Sequence, residues 1–253
     1  ALPICGSGTG KSVLLKCMIG ILKPEKGQVL YDGRDFLQAD QDTVKAIRRE
    51  MGVLFQGGAL FDSKTVLENV RFPLDTLTSQ SVEEKNARAM MCLQRVGLEA
   101  AAHQMPSDIS GGMKKRVGIA RAIVMNPKYL FCDEPNSGLD PLTAVKIDLL
   151  IQEITKEFNI TTIVISHDMN SVMEIGDHIL YLYNGKKQWE GSNKDIIFAS
   201  LMGSNAVGTV QRMSLIQNEL QKHVLFKVPF LPFVNKETIE SDSAIRPELS
   251  INR

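Results

Sequence analysis

A short glycine-rich segment at the start of a helical pattern constrains this chain more than any other feature. Gly8-Thr9-Gly10-Lys11-Ser12 precedes an apolar run with helical spacing, Val13 to Ile21. Small residues let a backbone wrap a phosphate with its N–H groups inward, and a helix that begins there adds the positive end of its dipole. The lysine can reach β- and γ-phosphates, and the serine hydroxyl can bind Mg²⁺. The segment predicts a nucleoside triphosphate site.

The residues before this loop depart from the usual pattern, G-x-x-x-x-G-K-[ST]. The first glycine would fall on Cys5, and Gly6 comes one place late, followed by Ser7. Pro3 cannot donate a hydrogen bond within the central strand that normally precedes such a loop. The alternative to a phosphate loop is an ordinary solvated turn.

Charge and composition exclude several classes of protein. The 253 residues contain 29 Lys plus Arg and 29 Asp plus Glu, so the net charge is zero, which argues against general capture of nucleic acid. No apolar run approaches the roughly 20 residues that span a bilayer, so a membrane role would require a partner. The cysteines, which include no C-x-x-C pair, indicate reduced thiols in a cytosolic setting.

Short apolar strands alternate with helical patterns along much of the chain. This alternation predicts an α/β fold with a mostly parallel sheet covered on both faces. From Thr65 to Val124 the spacing is helical, and Ser110 is suited to cap the helix after it. The predicted strands are Gln28–Tyr31, Met51–Phe55, Tyr129–Cys132, Thr161–Ile165 and a terminal hairpin of Ile179–Tyr183 with Lys187–Glu190.

The pattern weakens after about Ala199. Met213 to Val224 has the spacing of an amphipathic helix. The apolar stretch that follows is interrupted by Pro229 and Pro232, and the polar C-terminal residues predict disorder.

Polar residues end the two strands predicted in the middle of the chain. Asp133 and Glu134 follow one, and His167 follows the other. Because the carboxyl ends of parallel strands face the ligand crevice, we expect these residues beside the phosphate loop. Asp133 would hold Mg²⁺ through water, and Glu134 would polarise the attacking water as general base. The alternative is an ordinary polar strand exit with a structural histidine.

The order of these motifs resembles the nucleotide-binding subunit of an ATP-binding-cassette (ABC) transporter, over residues 6–199. Gly8 to Ser12 is similar to the Walker A loop, and Gln56 to the Q-loop glutamine. Ser110-Gly111-Gly112 resembles the family signature, and Tyr129 to Glu134 resembles Walker B. Ser137 to Asp140 is similar to the D-loop, and His167 to the switch histidine.

The resemblance implies an α/β P-loop NTPase with a RecA-like core (1–64 and 126–199), an inserted helical subdomain (65–125) and an atypical tail (200–253). It implies ATP and Mg²⁺ as cofactors and a head-to-tail homodimer, in which Ser110 and Gly112 contact the phosphate held by the other subunit's Lys11. The implied catalytic residues are Glu134, His167 and Gln56, and the metal ligands Ser12, Gln56 and Asp133. Nucleotide-binding residues would be Gly6, Ser7, Gly8, Thr9, Gly10, Lys11, Ser12, Ser110, Gly111, Gly112 and Asp140.

Two details resemble the Mla-type (maintenance of lipid asymmetry) ATPases: Met113 in the signature and the segment Phe55 to Phe61. This resemblance implies phospholipid transport with transmembrane permease subunits and an MCE-domain lipid-binding protein, at the cytoplasmic face of the inner membrane. The alternatives are another ABC system (solute import, lipoprotein release or cell division) and a cassette that does not hydrolyse ATP. The family's strands before Walker A, and its adenine-stacking aromatic residue, are expected to be missing, as in an altered or misread gene.

Overall fold

The computed structural model describes residues 10–183, 185–193, 224–228 and 248–251. The α-helices of this part are α1 Lys11–Met18, α2 Gln41–Arg49, α3 Val66–Leu77, α4 Val82–Arg95, α5 Gly111–Ile123, α6 Pro141–Glu157 and α7 Met169–Ile175. The strands are β1 Gln28–Tyr31, β2 Arg34–Asp35, β3 Met51–Leu54, β4 Tyr129–Asp133, β5 Thr161–Ser166, β6 His178–Tyr183, β7 Lys186–Ser192, β8 Val224–Val228 and β9 Glu248–Ile251.

The central sheet has the order β3-β4-β5-β8-β6-β7. Strands β3, β4 and β5 are parallel, with Val53 opposite Phe131 and Phe131 opposite Ile163. Strand β8 pairs antiparallel with both neighbours, and β6 and β7 form the predicted hairpin. The parallel register brings the residues that follow β3, β4 and β5 to one edge of the sheet.

Both faces of the central sheet are buried because its strand residues alternate between two apolar clusters. Leu130, Cys132 and Val164 belong to the cluster formed with helices α3 to α7. Tyr129, Phe131, Ile163 and Ile165 belong to the cluster on the other face, formed with α1, α2 and β1. The predicted parallel pairing with two covered faces is confirmed for β3, β4 and β5, whereas β8, β6 and β7 extend the sheet with antiparallel pairs.

Helices α3, α4 and α5 lie in sequence between β3 and β4. Capping boxes start the first two: Thr65 pairs reciprocally with Glu68, and Ser81 with Glu84. Ser110 caps α5 as expected, because its Oγ accepts the backbone N–H of Met113 at 3.3 Å. These bounds agree with the predicted helical segment, while its independence as a subdomain stays a prediction.

Two local expectations are wrong. Helix α1 ends at Met18 rather than Ile21, because Gly20 adopts φ 73° and the N–H of Ile21 turns back to the carbonyl of Lys16. Disorder was expected at the C-terminus, yet Glu248–Ile251 forms β9, which pairs parallel with β1. The backbone pairing of β9 with β1 explains why this segment forms a strand, although its polar sequence predicts disorder.

Several expectations lie on residues 1–9, 194–223, 229–247 and 252–253, outside the described residues. They include the abnormal loop entry with Cys5 and all of the predicted amphipathic helix Met213 to Val224 except its last residue, Val224, which begins strand β8 instead. Cys92 and Cys132 are buried free thiols, and Cys17 is half-buried. In the described part of the chain, no helix combines the length and the apolar character that crossing a membrane requires.

Candidate functional site

The candidate site lies where α1 begins beside the carboxyl ends of β4 and β5. Lys11, the first residue of α1, is only 4% exposed. Burial lowers the pKa of Lys11, while the charges of Glu134 and Asp133 act to raise it. Its ammonium group is a compact positive charge with three hydrogen-bond donors, which is suited to bind a phosphate.

Ser12 and Asp133 form an oxygen pair next to Lys11. The Ser12 hydroxyl donates to Asp133 Oδ1 at 3.3 Å, although the two residues are far apart in sequence. Burial, and then the charge of Glu134, raise the pKa of Asp133, while Ser12, Lys16 and Lys11 lower it. Hydroxyl and carboxylate oxygens are the ligands that Mg²⁺ prefers, so this donor set fits the ion.

Glu134 follows β4 at the centre of the site, and its side chain contacts the loops that follow β3 and β5. Its Oε2 accepts from Gln56 Nε2 at 3.1 Å, and its Oε1 lies 3.2 Å from His167 Nδ1. Its backbone has φ 47°, which is unusual for a residue with a side chain. The N–H of Glu134 donates to the carbonyl of Ile165 at 2.9 Å, which ties the β4 exit to β5.

A second group of predicted residues lines a separate groove of about 450 Å³ at the starts of α5 and α6. Asp140 caps α6, accepting the N–H of Thr143 at 3.0 Å. A hydrogen bond from the Thr143 side chain, and then this backbone bond, lower the pKa of the Asp140 carboxyl group. A Cβ on Gly112 would lie 2.8 Å from Thr143 Cγ2, so a larger residue would crowd this groove. Its lining includes Ser110, Gly111, Gly112, Gly138, Leu139, Asp140, Thr143 and Lys146.

The structure therefore divides the predicted residues between two places. Contacts or charge interactions link Lys11, Ser12, Gln56, Asp133, Glu134 and His167. Ser110, Gly111, Gly112 and Asp140 line the second groove. The Nε2 of Gln56 also lies 3.3 Å from the Oγ of Ser137, the residue before Gly138 of the second groove. Gly10 begins α1 with φ 85°, while Gly6, Ser7, Gly8 and Thr9 lie outside the described residues.

Sequence reasoning missed Lys115. This lysine of α5 is 4% exposed and donates to the Glu134 carbonyl at 3.2 Å. Burial lowers its pKa, while the charge of Glu134 raises it. It stands in a run of basic residues, Lys114-Lys115-Arg116, that is typical of an exposed helix face. Only the tertiary packing, which buries Lys115 but leaves Lys114 and Arg116 partly exposed, distinguishes it from these neighbours.

The chain is similar to a known protein family and to individual proteins within it. The family model described as ABC transporter matches residues 4–137. The chain is 44% identical over 190 residues to the methionine import ATP-binding protein MetN 1 of Oceanobacillus iheyensis, covering 75% of this chain and 56% of that protein. It is 37% identical over 234 residues to the intermembrane phospholipid transport ATP-binding protein MlaF of Haemophilus influenzae, covering 92% and 85%.

A likeness to solved structures accompanies these matches. The dimeric ATP-binding cassette MJ0796, in a post-hydrolysis state with ADP and Pi, superposes with a TM-score of 0.67 at 36% identity. The match covers 74% of this chain and 82% of that one. The chain spans about half the length of the first curated relatives that it matches, at 56% and 51%.

Proposed function

Because this chain belongs to the ABC transporter family and has its P-loop NTPase cassette fold, we propose that it binds ATP with Mg²⁺ and hydrolyses the ATP to drive a membrane transporter. The observation that carries the proposal is the convergence of Lys11, Ser12 and Asp133 on one side with Glu134 and His167 on the other. Phosphoryl transfer requires positive charge on the phosphates, a bound metal ion and an oriented attacking water. These side chains can supply the charge, hold the ion and orient the water.

The residues at the start of α1 bind the triphosphate in this proposal. The ammonium group of Lys11 neutralises phosphate oxygens, and the first N–H groups of α1 donate to them. Ser12 Oγ and Asp133 would hold Mg²⁺, with Gln56 as a further ligand through its amide oxygen. The ion, when bound, supplies charge that stabilises the transferring phosphoryl group.

Glu134 acts as the general base that takes a proton from the attacking water. Gln56 and His167 each contact one of its carboxylate oxygens, so they fix the direction of the group. His167, whose side chain is 51% exposed, also orients the terminal phosphate. The left-handed backbone of Glu134 stores strain at the residue that performs the chemistry.

Single-turnover hydrolysis of ATP tests this proposal. Removal of a general base slows a reaction by roughly 10²–10⁴-fold, so we expect that loss in Glu134→Gln, with ATP affinity retained. Lys11→Ala should instead weaken ATP binding by a few kcal/mol, because several charge-assisted contacts are lost together. The exposed Lys23→Ala, with the same charge change, is the matched control.

Two outcomes would contradict the proposal. If the parent chain and Glu134→Gln release phosphate at the same rate, the alternative is favoured, namely a cassette that keeps the fold but does not hydrolyse ATP. Unchanged ATP affinity in Lys11→Ala would refute the assignment of the phosphate loop.

A second copy of the chain is the first proposed partner. The groove lined by Ser110, Gly112 and Asp140 opens to solvent and holds the N-terminal end of α5. Such an end attracts an anion, here the phosphate bound to the other subunit's Lys11. The dimeric state of the MJ0796 cassette supports a head-to-tail homodimer with ATP between its subunits.

A transmembrane permease is the second proposed partner. A largely apolar groove of about 290 Å³ lies between the central sheet and the helical segment. Phe61 and Phe72, which pack with ring centroids 4.6 Å apart, line it together with Arg48 and Arg121. Exposed aromatic rings beside arginines are typical of protein interfaces. Docking here would place the chain peripherally at the cytoplasmic face of the inner membrane.

Phospholipid is the proposed cargo, and the likeness to MlaF over 92% of the chain supports it. An MCE-domain lipid-binding protein would then be a further partner. The likeness to MetN 1 favours a second candidate, a small-solute importer. Copurification separates the candidates: recovery of an MCE-domain protein with the tagged chain supports lipid transport, and recovery of a solute permease alone contradicts it.

A further inference from the structure

Asp148 is a buried carboxyl group that the proposed chemistry does not use. It lies on α6 and is only 2% exposed. An ionised carboxylate is costly to bury unless hydrogen bonds or an opposite charge compensate it. The contacts of Asp148 therefore decide which protonation state the fold favours.

The hydrogen bonds of Asp148 are incomplete. Its Oδ2 accepts from Asn136 Nδ2 at 2.7 Å, and the same Nδ2 donates to Ser171 Oγ at 2.9 Å. Asp148 Oδ1 and Asn136 Oδ1 are both buried, and neither has a hydrogen-bond partner among the described residues. Two acceptors on one carboxyl–amide pair thus lack a donor, and a single proton on Asp148 Oδ1 would satisfy both.

Asn136 and Ser171 connect this pair to the loops of the candidate active site. Asn136 lies in the loop that carries Glu134, in which the N–H of Ser137 donates to the Glu134 carbonyl at 3.2 Å. Ser171 Oγ donates to Asp168 Oδ2 at 3.3 Å, and Asp168, next to His167, donates its N–H to Ser166 Oγ at 3.0 Å. The Asn136–Ser171 bond is therefore a buried link between the Glu134 loop and the His167 loop.

We propose that Asp148 is a positioning residue whose proton forms a two-point pair with the Asn136 amide and thereby fixes the Glu134 loop relative to His167. The inference rests on the proposed ATP hydrolysis for its effect on activity, but the proton pair itself does not depend on it. Loss of the proton leaves one hydrogen bond where the neutral pair has two, so the link between the loops loosens.

The surroundings of Asp148 cause its carboxyl group to lose the proton within the physiological range of pH. Burial raises the pKa of Asp148 to about 6, while Ser171 and Asn136 lower it through hydrogen bonds. The acidic groups that face it, Asp168 in the loop after β5 and Glu174 on α7, raise the pKa further. From β4 the Cys132 thiol interacts with Asp148, and from α5 Lys115 acts on Cys132.

The sign of the effect on stability follows from the raised pKa. The folded chain binds this proton more tightly than the unfolded chain, whose value is 3.8. The contribution of Asp148 to stability is therefore largest below pH 3.8, falls as the pH rises from 3.8 to about 6, and stays low above that.

Asp148→Asn is the variant that tests the proton pair. Its amide can accept from Asn136 Nδ2 and donate to Asn136 Oδ1 at every pH, so it imitates the neutral carboxyl permanently. The thermal midpoint of the nucleotide-free variant should exceed that of the parent by about 3 °C or more at pH 7.5, and the difference should shrink as the pH falls from about 6 to 3.8. The exposed Asp62→Asn carries the same charge change and should follow the parent at each pH.

ATP hydrolysis provides the second readout. The rate of Asp148→Asn should exceed that of the parent by about 2-fold or more at pH 8 and equal it at pH 5.5, because only the parent loses the proton. A ratio that is constant with pH would reduce Asp148 to a structural role and overturn its positioning role.

The two readouts separate the inference from the proposed function. Parallel stability curves for parent and Asp148→Asn would refute the proton pair, whatever the chain hydrolyses. If the curves converge as expected but the parent releases no phosphate at any pH, the proposed function fails and the regulatory role fails with it, while the proton pair stands.

Discussion

At the scale of single residues, backbone conformation marks the candidate site. Gly10 starts α1 with φ 85°, and its carbonyl accepts the N–H of Leu14 at 2.8 Å. Glu134 has φ 47° and is held there by bonds from Ser137 N and Lys115 Nζ to its carbonyl. Glycine adopts such angles freely, whereas glutamate needs these bonds to hold it. The strain therefore lies on the proposed general base rather than on the phosphate loop.

Substitution of Gly10 by alanine tests what this conformation contributes. A side chain in the left-handed region costs roughly 1–2 kcal/mol, and relief of that strain would move the start of α1. We expect Gly10→Ala to lose about that much stability and also to weaken ATP binding by about tenfold or more. Chemical denaturation and nucleotide titration measure the two effects.

Gly33→Ala is the matched control for this prediction. Gly33 has φ 77° and, like Gly10, no heavy atom of the described residues within 4 Å of an added Cβ. It should lose similar stability with no change in ATP affinity. Equal affinity losses in both variants would show that general destabilisation, and not the loop conformation, weakens binding.

At the scale of elements, one buried side-chain amide fixes the loop that leads into helix α3. Asn69 on α3 is fully buried, and its Oδ1 accepts the N–H of Phe61 at 2.7 Å. Its Nδ2 is placed to donate to the carbonyls of Phe61, Lys64 and Thr65. A loop that cannot form regular hydrogen bonds thus has its backbone groups satisfied by one side chain. The same loop carries Phe61 into the proposed permease groove.

Asn69→Ala should therefore destabilise the chain strongly. Each buried backbone group that loses its partner costs about 1–3 kcal/mol, so we expect a total loss of about 3 kcal/mol or more. Urea denaturation measures it, with Asn86→Ala as the control. Asn86 is half-exposed and accepts one bond from Arg71, so its loss should stay within about 1.5 kcal/mol. Similar losses in the two variants would contradict this role of Asn69.

At the scale of the whole molecule, the predicted nucleotide-binding residues lie in two separate places on one chain. Lys11 lies beside Asp133 and Glu134, whereas Ser110 and Gly112 line a different groove. A head-to-tail arrangement of two copies brings the two groups together twice, because a two-fold axis repeats each contact. The proposed dimer therefore assigns the two halves of each ATP site to different subunits.

Mixing two inactive variants tests this arrangement. Lys11→Ala removes the phosphate cation, and Ser110→Arg blocks the second groove, so we expect neither alone to hydrolyse ATP. In a mixed dimer both defects fall in one site and the other is intact, so random mixing should restore up to about a quarter of the parental activity. A mixture as inactive as its components would place both residues in the same site of one chain.

Short-range rules explain which parts of this protein the sequence determined by itself. The caps Ser110 and Asp140, the strands β4 and β5, and Glu134 and His167 at their ends depend on neighbours a few positions away. The crevice at the ends of parallel strands then predicts which side chains meet. The contacts of Glu134 with Gln56 and of Asp133 with Ser12 agree with that prediction.

Tertiary structure alone decided the features that depend on distant parts of the chain. Strand β8 pairs between β5 and β6, β9 pairs with β1, and Lys115 and Asp148 become buried. The basic run around Lys115 and the polar residues around β9 resemble exposed segments, and the apolar residues of β8 do not by themselves indicate which strands they pair with. The two strands form because their backbones pair with distant strands, and the two side chains are buried because distant elements exclude water from them. Both effects arise only once those elements have packed together.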